Sequence, residues 1–340
     1  MALRIGLMGF GRISRNMFRQ LAGREDLRIV AIADLGEPDA MAYLLEYDTL
    51  YRRFPGPVTL EGRHLSAGGQ RARLLRGGRP GDMPWDAYDL DVVIEATHAH
   101  RRRADLQGHL DAGTRRVIVT APALDPIDRT IVHGVNHASL SPADRIISCA
   151  SATTHVFGLM MKILHEAVGV RHAMMTTVHA YSSDQKLADA VSVNLRRSRS
   201  AAENIIPNWS WAPGVIGELI PSLKGHLDGM AVNVPVPNGS NVDVVSRLER
   251  DLDAAQVNEI VRQAAEGPLA PWLEYARDPL VSSDVIGSRR SGVFDSLATL
   301  TGKGGLVKTI TWFDNGWGYA ARIVETLEAI DRFPGKEARA

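Results

Sequence analysis

An apolar run that ends in two closely spaced glycines constrains the first half of this 340-residue chain more than any other feature. Residues 3–8 are predicted to form a buried parallel strand, and Gly9-Phe10-Gly11-Arg12-Ile13-Ser14 follows before a stretch with helical periodicity. Gly9 permits a tight turn, and Gly11 lets the backbone approach a pyrophosphate at the N-terminus of the helix. Ser14 stands where a third glycine is usual, so we expect slightly looser packing of helix against strand.

The sequence after this helix supports a dinucleotide site. Residues 27–33 are predicted to form a second strand, and Asp34 lies at its end. A carboxylate there can accept both hydroxyls of an adenosine ribose and would repel a 2′-phosphate, which favours NAD over NADP. The alternative is that Asp34 only caps a turn.

Further short apolar runs predict a larger sheet. Residues 91–95, 116–120 and 146–148 read as strands that alternate with helical stretches. This order is typical of a doubly wound parallel sheet, so residues 1–150 are predicted to form a Rossmann NAD-binding domain. Ligands bind at the carboxyl ends of such strands, where Thr97, Thr120 and Ser151 fall.

The pattern changes in the second half. A helix over residues 153–168 precedes longer strands at 171–179, 230–236, 241–247 and 307–313. We therefore predict an α+β domain over residues 151–316 with a mostly antiparallel sheet. A last helix, at about residues 319–330 of the segment 317–340, is expected to complete the first domain.

Composition narrows the classes of partner. Lys plus Arg and Asp plus Glu number 39 each, so no net charge favours nucleic acid or an anionic membrane. One cysteine excludes an internal disulfide and is consistent with a reducing, cytoplasmic location. The first residues lack the features of a signal peptide, and no apolar run approaches the length of a membrane span. We expect a small-molecule substrate and no metal ion.

Several longer segments carry a resemblance to a known family. They are Glu46-Tyr47-Asp48-Thr49, Arg53-Phe54-Pro55-Gly56, Ser148 to His155, Thr176-Thr177-Val178-His179-Ala180-Tyr181, Leu195 to Pro207, and Phe313-Asp314-Asn315-Gly316-Trp317-Gly318-Tyr319. Together with the glycine motif, they resemble the glyceraldehyde-3-phosphate dehydrogenases over nearly the whole chain. The resemblance implies NAD as cofactor. It also implies a homotetramer, because the loop at 195–207 is an intersubunit element in that family.

The resemblance assigns residues to the cofactor and to proton transfer. It implies that NAD is bound by Gly9, Gly11, Arg12, Ile13, Asp34, Thr97, Thr120 and Asn315. His179 falls at the family's general-base position, although a strand histidine can also be purely structural.

The family's nucleophile is missing from the matching position. The family pattern Ser-Asn-Ala-Ser-Cys-Thr-Thr-Asn aligns its cysteine with Ala152, and a methyl group cannot form a thioester. Cys149 lies three residues upstream, and sliding it into place would shift Thr153 and the helix that follows. His155 replaces the family's last asparagine, either as a further acid/base group or as a packing residue.

The expected anion sites are also altered. Ser182 and Asp184 fit the substrate-phosphate site, but Asn233 replaces an arginine there and supplies neither charge nor a bidentate fork. In the family, the loop that binds the attacking phosphate contains a pair of small residues. This pair aligns with Ser210 and Trp211, next to Trp209. The two indoles either remodel this pocket or belong to the core.

These departures suggest three interpretations. The first is an NAD-dependent oxidoreductase without a covalent intermediate, with His179 as acid/base and Ser151 and Thr153 holding the oxygen of an alcohol, ketone or aldehyde. The second is a catalytically inactive NAD-binding paralogue with a regulatory or assembly role. Residual glyceraldehyde-3-phosphate dehydrogenase activity is the third.

Overall fold

A computed structural model describes residues 2–333 of the chain as two compact units. The N-terminal unit is formed by Met1–Ile131, His137–Ala150 and Ala320–Ala340, and the central unit by Val132–Asn136 and Ser151–Tyr319. Residues 334–340, which the predicted C-terminal segment included, lie outside the described residues.

The N-terminal unit alternates strands and helices along most of its length. Its elements in chain order are β1 (Leu3–Met8), α1 (Arg12–Gln20), β2 (Leu27–Asp34), α2 (Pro38–Glu46), β3 (Tyr47–Asp48), β4 (Arg52–Arg53), β5 (Val58–Glu61), β6 (His64–Ala67), β7 (Gln70–Arg76), β8 (Val92–Glu95), α3 (Arg103–Asp111), β9 (Arg116–Val119), β10 (Arg129–Thr130) and β11 (Ile146–Ser148).

The main sheet of this unit has the order β10-β11-β9-β8-β1-β2-β7-β6-β5. From β10 to β7 all neighbours are parallel, whereas β5, β6 and β7 pair antiparallel at one edge. The doubly wound parallel sheet is thus confirmed. Its central strands are apolar because both faces are covered, and every residue of β8 is buried. The edge hairpin at 58–76 was not predicted.

The central unit begins with a long helix and continues mainly in strands. Its elements are α4 (Ala152–Val168), β12 (Val170–Ala180), β13 (Ile206–Trp209), α5 (Ala212–Leu219), β14 (Leu227–Val234), β15 (Ser240–Leu248), α6 (Ala254–Glu266), β16 (Leu273–Ala276), β17 (Gly292–Asp295), β18 (Leu300–Gly302) and β19 (Leu306–Phe313); α7 (Trp317–Asp331) then runs on into the N-terminal unit.

The sheet of the central unit has the order β13-β14-β12-β15-β19-β17-β16, with β18 paired to β19. The pairs β12–β14 and β16–β17 are parallel and the other pairs are antiparallel. Helix α4 packs on β12, β15 and β19, and α5 and α6 pack against α4. The predicted α+β class with a mostly antiparallel sheet is confirmed.

Most predicted boundaries lie within two residues of the observed ones, but strand β14 is an exception. The predicted range 230–236 starts late, because β14 already pairs with β12 from Leu227 opposite Ala173. It also ends late, since Pro235 and Pro237 follow the last ladder residue, Val234, and proline lacks the N–H that a ladder needs.

Within residues 2–333, none of the helices combines the length and apolar character that a membrane span requires.

Candidate active site

The loop between β1 and α1 has the geometry of a phosphate-binding turn. Gly9 has φ +91°, and an added Cβ would lie 3.0 Å from Cγ2 and 3.1 Å from the backbone nitrogen of Thr97. Gly11 is the N-cap of α1 and faces open space, with no atom within 4 Å of the point where a Cβ would lie. No side chain caps the first turn, which begins with Arg12 and Ile13. The first turn of α1, with its partial positive charge, therefore fits an anion.

Ser14 forms a hydrogen bond within this loop, where we expected slightly looser packing. The side chain is buried, and its hydroxyl donates a 2.6 Å hydrogen bond to the carbonyl oxygen of Gly9. The hydroxyl thus ties the first turn of α1 to the end of β1, at the place where a glycine would rely on close packing alone.

Asp34 lies at the carboxyl end of β2, beside the glycine loop. Its Oδ2 accepts a 2.6 Å hydrogen bond from the Phe10 amide, and its Oδ1 accepts a 2.8 Å hydrogen bond from the Gly36 amide. The carboxylate therefore does cap a turn. Each oxygen retains a further lone pair, so capping leaves Asp34 able to accept ribose hydroxyls as well.

Thr97 and Thr120 follow β8 and β9 at the same edge of the sheet. Glu95 Oε1 accepts hydrogen bonds from both the backbone nitrogen (2.8 Å) and the hydroxyl (2.5 Å) of Thr97. The Thr120 hydroxyl is buried and has no hydrogen-bond partner among the described residues. A buried donor without a partner costs free energy, and a ligand at this edge would satisfy it. The residues present thus fit a dinucleotide.

Helix α4 of the central unit starts within the segment Ser148 to His155, where Ala152 was predicted to align with the family's nucleophile. Ser151 is the N-cap, and its Oγ accepts a 3.1 Å hydrogen bond from the Thr154 backbone nitrogen. Ala152 is the first helical residue and Thr153, which is buried, is the second. The partial positive charge of the helix N-terminus would stabilise an anionic oxygen here, but position 152 offers only a methyl group.

Cys149 occupies a different environment, in the N-terminal unit. Its side chain is fully buried directly after β11, and its Sγ lies 3.4 Å from the hydroxyl oxygen of Thr326. Burial raises the pKa of the Cys149 thiol to about 12. Buried thiols of this kind are neutral and unreactive at ordinary pH.

His179 lies near the end of β12 and is half-buried. Its Nδ1 lies 2.6 Å from the carbonyl oxygen of Ala180, and its ring packs edge-on against Phe313 with centroids 6.0 Å apart. A carbonyl can only accept, so Nδ1 carries a proton. In the neutral ring Nε2 is then the basic nitrogen, which is the state that a general base needs.

Asn315 is connected to the same part of β12 through Ser240. The Ser240 hydroxyl donates a 3.0 Å hydrogen bond to Asn315 Oδ1 and accepts one of 3.0 Å from the Ala180 backbone nitrogen. These bonds fix the side-chain oxygen of Asn315 and leave its amide nitrogen as a hydrogen-bond donor. His179 and Asn315 are thus held by the two backbone polar groups of one residue, Ala180.

Asn233 lies directly beside His179. The two residues are paired in the parallel β12–β14 ladder, and the buried Asn233 side chain directs Nδ2 toward the Ala180 carbonyl at 3.5 Å. The short amide stays within the sheet and carries no charge. It therefore provides no cation for a substrate phosphate.

Ser182 and Asp184 form a small network in the loop after β12. The Ser182 hydroxyl donates a 2.5 Å hydrogen bond to Asp184 Oδ1, and the Arg197 guanidinium pairs with Asp184 Oδ2. Arg197 was not assigned a role from the sequence. The sequence feature that could have identified Arg197 is its position in the loop at 195–207, which resembles the family.

The two tryptophans pack on each other and face solvent. Their ring centroids are 4.1 Å apart at an interplanar angle of 84°, and 60% of Trp209 and 41% of Trp211 is exposed. Ser210 between them accepts a 3.3 Å hydrogen bond from the Ala212 nitrogen at the start of α5. The indoles therefore do not belong to the core, which favours the remodelling of this loop over the core alternative.

His155 is enclosed by the central unit. The side chain is 1% exposed, its Nδ1 lies 3.0 Å from the Ser151 carbonyl, and its ring stacks on His133 with centroids 6.1 Å apart and meets Tyr319 edge-on. Of the two interpretations of this residue, these contacts favour packing.

Within each unit, the structure brings together part of the predicted set. Gly9, Asp34 and Thr97 meet at one edge of the Rossmann sheet. In the central unit, His179, Asn233 and Asn315 meet around Ala180.

A doubly wound sheet with a glycine turn, an acidic residue at the end of β2 and a histidine on a second, mostly antiparallel sheet indicates an NAD-binding oxidoreductase. Known proteins agree with this. Residues 3–103 match the family described as "Glyceraldehyde 3-phosphate dehydrogenase, NAD binding domain", and residues 148–315 match "Glyceraldehyde 3-phosphate dehydrogenase, C-terminal domain". The chain belongs to the glyceraldehyde-3-phosphate dehydrogenase family, and NAD is its cofactor.

Individual relatives match over almost their full length. "Glyceraldehyde-3-phosphate dehydrogenase 2" of Streptomyces arenae is 44% identical, covering 97% of this chain and 99% of the relative. "Glyceraldehyde-3-phosphate dehydrogenase" of Geobacillus stearothermophilus is 41% identical, with 97% and 98% covered. "Glyceraldehyde-3-phosphate dehydrogenase 1" of Bacillus subtilis is 39% identical, with the same coverage.

Proposed function

We propose that this chain is a divergent member of its family that lacks the catalytic cysteine and transfers hydride without a thioester intermediate. The observation that carries the proposal is Ala152 at the first position of α4. The single thiol of the chain offers no replacement, because Cys149 is buried, in contact with Thr326 and has a raised pKa.

The proposed proton transfer rests on His179. Its Nε2 takes the proton of a substrate hydroxyl, while Nδ1 remains bonded to the Ala180 carbonyl and holds the ring in one tautomer. In the reverse direction the protonated ring returns this proton to a forming alkoxide. Bound NAD supplies the chemistry of a hydride acceptor.

The proposed cofactor contacts are those that the family resemblance assigns. The glycine loop with Arg12 and Ile13 holds the pyrophosphate, Asp34 the adenosine ribose, and Thr97 and Thr120 line the sheet edge. Asn315 donates its amide N–H to the nicotinamide carboxamide, since Ser240 already fixes its oxygen. We accordingly assign NAD binding to residues 1–150 with the C-terminal helix and substrate binding to residues 151–316.

The proposed substrate is an alcohol, ketone or aldehyde that carries no phosphate at the Asn233 side. Asn233 is neutral and buried, and Arg197 is already paired with Asp184, so the cationic binding of a phosphate is weakened. Ser151 and Thr153 hold the substrate oxygen at the start of α4. Ser182, Ser210 and Trp211 complete the substrate site, with the exposed indole pair offering an apolar surface.

We further propose that the protein is a cytoplasmic homotetramer. The family resemblance of the loop at 195–207 supports the tetramer, and the single cysteine is consistent with a reducing compartment. Size-exclusion chromatography with light scattering tests it, and a monomer mass of 37.1 kDa would contradict it.

A substrate screen tests the proposed function. Purified protein with NAD is assayed for NADH formation against alcohols, hydroxy acids and aldehydes, and with NADH against ketones. A substrate that depends on His179 supports the proposal. For that substrate, His179→Ala should lower kcat by about 10²-fold or more, because general-base catalysis contributes at least that much.

The alternatives predict different outcomes of the same screen. An inactive NAD-binding paralogue would bind NAD but turn over none of these compounds. A His179→Ala variant that retains full turnover would remove His179 from the mechanism.

A further inference from the structure

A buried carboxylate lies beneath the proposed cofactor loop. Glu95 is the last residue of β8 in the centre of the Rossmann sheet, and it is fully buried between apolar neighbours. Ionisable side chains are almost never fully buried unless they are paired, so its surroundings need an explanation. A carboxylate at the end of an otherwise apolar strand is also a signal that the sequence itself carries.

The partner of Glu95 is His109 of α3, and the partner of His109 is Trp85. All three side chains are fully buried. The Trp85 indole donates a 2.9 Å hydrogen bond to His109 Nδ1, and His109 Nε2 lies 3.1 Å from Glu95 Oε2. These contacts lie entirely within the N-terminal unit.

The indole determines the state of the histidine. An indole N–H can only donate, so His109 Nδ1 must be an unprotonated acceptor. A neutral ring then carries its proton on Nε2, which donates it to Glu95. A second proton on Nδ1 would face the Trp85 N–H, donor against donor. The hydrogen bonds therefore place an acceptor at His109 Nδ1 and a donor at Nε2, and Glu95 accepts at Oε2.

The other oxygen of Glu95 holds Thr97. Oε1 accepts from the backbone nitrogen and the hydroxyl of Thr97, and Thr97 Oγ1 in turn accepts a 3.1 Å hydrogen bond from the Ala99 nitrogen. His98 between them has φ +62°, a left-handed conformation that is unfavourable for a residue with a side chain. The bonds on either side hold this turn in place.

Thr97 bounds the space at the glycine loop. A Cβ at Gly9 would lie 3.0 Å from its Cγ2 and 3.1 Å from its nitrogen, so a shift of Thr97 changes the room available beside Gly9. The chain of contacts thus runs from Trp85 through His109 and Glu95 to the loop where the pyrophosphate binds.

We propose that Glu95 and His109 are positioning residues for NAD, which act through Thr97 and contact no part of the cofactor themselves. The inference rests on the proposed assignment of Thr97 to the cofactor site. It does not depend on which substrate the protein uses.

The affinity for NAD tests this role through Glu95→Gln. A glutamine has nearly the same shape, but its NH₂ group must face either the His109 N–H or the Thr97 N–H, so one side of the network always sets donor against donor. We expect the Kd for NAD, measured by calorimetry, to rise about tenfold or more, as for other residues that orient a binding group. Glu61→Gln, an exposed position on β5 with the same charge change, should leave the Kd unchanged.

The tautomer of His109 provides a readout that does not require a variant to fold. In wild-type protein with ¹⁵N-labelled histidine, we expect the His109 proton on Nε2. A proton on Nδ1 would contradict the hydrogen bond from the Trp85 indole and, with it, the chain of contacts that the positioning role requires.

Different results would contradict the positioning role and the proposed function. An unchanged NAD affinity in folded Glu95→Gln contradicts the positioning role whatever the substrate screen gives. A tenfold loss of affinity supports it even when none of the screened compounds is turned over.

Discussion

The Sγ atom of Cys149 lies 3.4 Å from the hydroxyl oxygen of Thr326, in the interior of the N-terminal unit. This contact packs the single cysteine of the chain against α7, and burial raises the pKa of its thiol to about 12. Sliding Cys149 into the role of Ala152 would therefore break a buried contact and change the register of β11.

Thiol modification tests this placement. With a pKa of about 12, roughly one part in ten thousand of the Cys149 thiol is ionised at pH 8, and the neutral thiol is a poor nucleophile. We expect native protein to resist iodoacetamide at pH 8 and protein unfolded in guanidinium chloride to react readily, measured by intact mass. Rapid modification of the native chain would show that the thiol is accessible.

The same shift predicts a dependence of stability on pH. In the unfolded chain Cys149 has its ordinary pKa near 9, so between about pH 9 and 12 the unfolded state loses this proton and the folded state keeps it. The free energy of unfolding therefore falls as pH rises, by about 1.4 kcal/mol per unit from this group.

Cys149→Ala isolates this contribution. The stability difference between wild type and variant, from urea titrations at pH 8, 9 and 10, should shrink as pH rises. A constant difference would mean that the thiol does not titrate abnormally.

How much the sequence predicts differs between the two units. The glycine turn, Asp34 and the strands on either side follow local rules, so the Rossmann half was predictable from residue patterns. Asn233 is different. Its place beside His179 depends on the pairing of β12 with β14, strands that a long connection separates. The fully buried Glu95–His109 pair was missed because it joins a strand to a helix. The periodicity of the sequence does not show which helix packs against which strand.

Two serines on β15 offer a matched test of the connection to Asn315. Ser240→Ala removes the hydroxyl that holds Asn315 Oδ1 and leaves the Ala180 nitrogen without its acceptor. We expect the Kd for NAD to rise about fivefold, the value of one hydrogen bond of about 1 kcal/mol.

Ser246→Ala is the control on the same strand. Ser246 is also buried, but its hydroxyl has no hydrogen-bond partner among the described residues. Its variant should bind NAD like wild type. Equal losses of NAD affinity in both variants would indicate that any such change in β15 weakens binding. That result would argue against a specific role of Asn315.

His155→Phe separates packing from catalysis. Phenylalanine keeps an aromatic ring against His133 and Tyr319 and loses the bond to the Ser151 carbonyl. We expect the unfolding free energy to fall by about 1 kcal/mol and turnover of the identified substrate to stay within about threefold. A loss of turnover as large as that of His179→Ala would place His155 in the chemistry.

We infer that this member of the family forms no thioester. The direct measurement is NADH formation from glyceraldehyde 3-phosphate and NAD with increasing inorganic phosphate, together with the intact mass of the protein during the reaction. We predict neither phosphate-stimulated NADH formation nor an acyl adduct, because position 152 carries a methyl group and Cys149 is buried. Sustained NADH formation that rises with phosphate, accompanied by a protein mass increased by the acyl group, would show instead that a thioester forms.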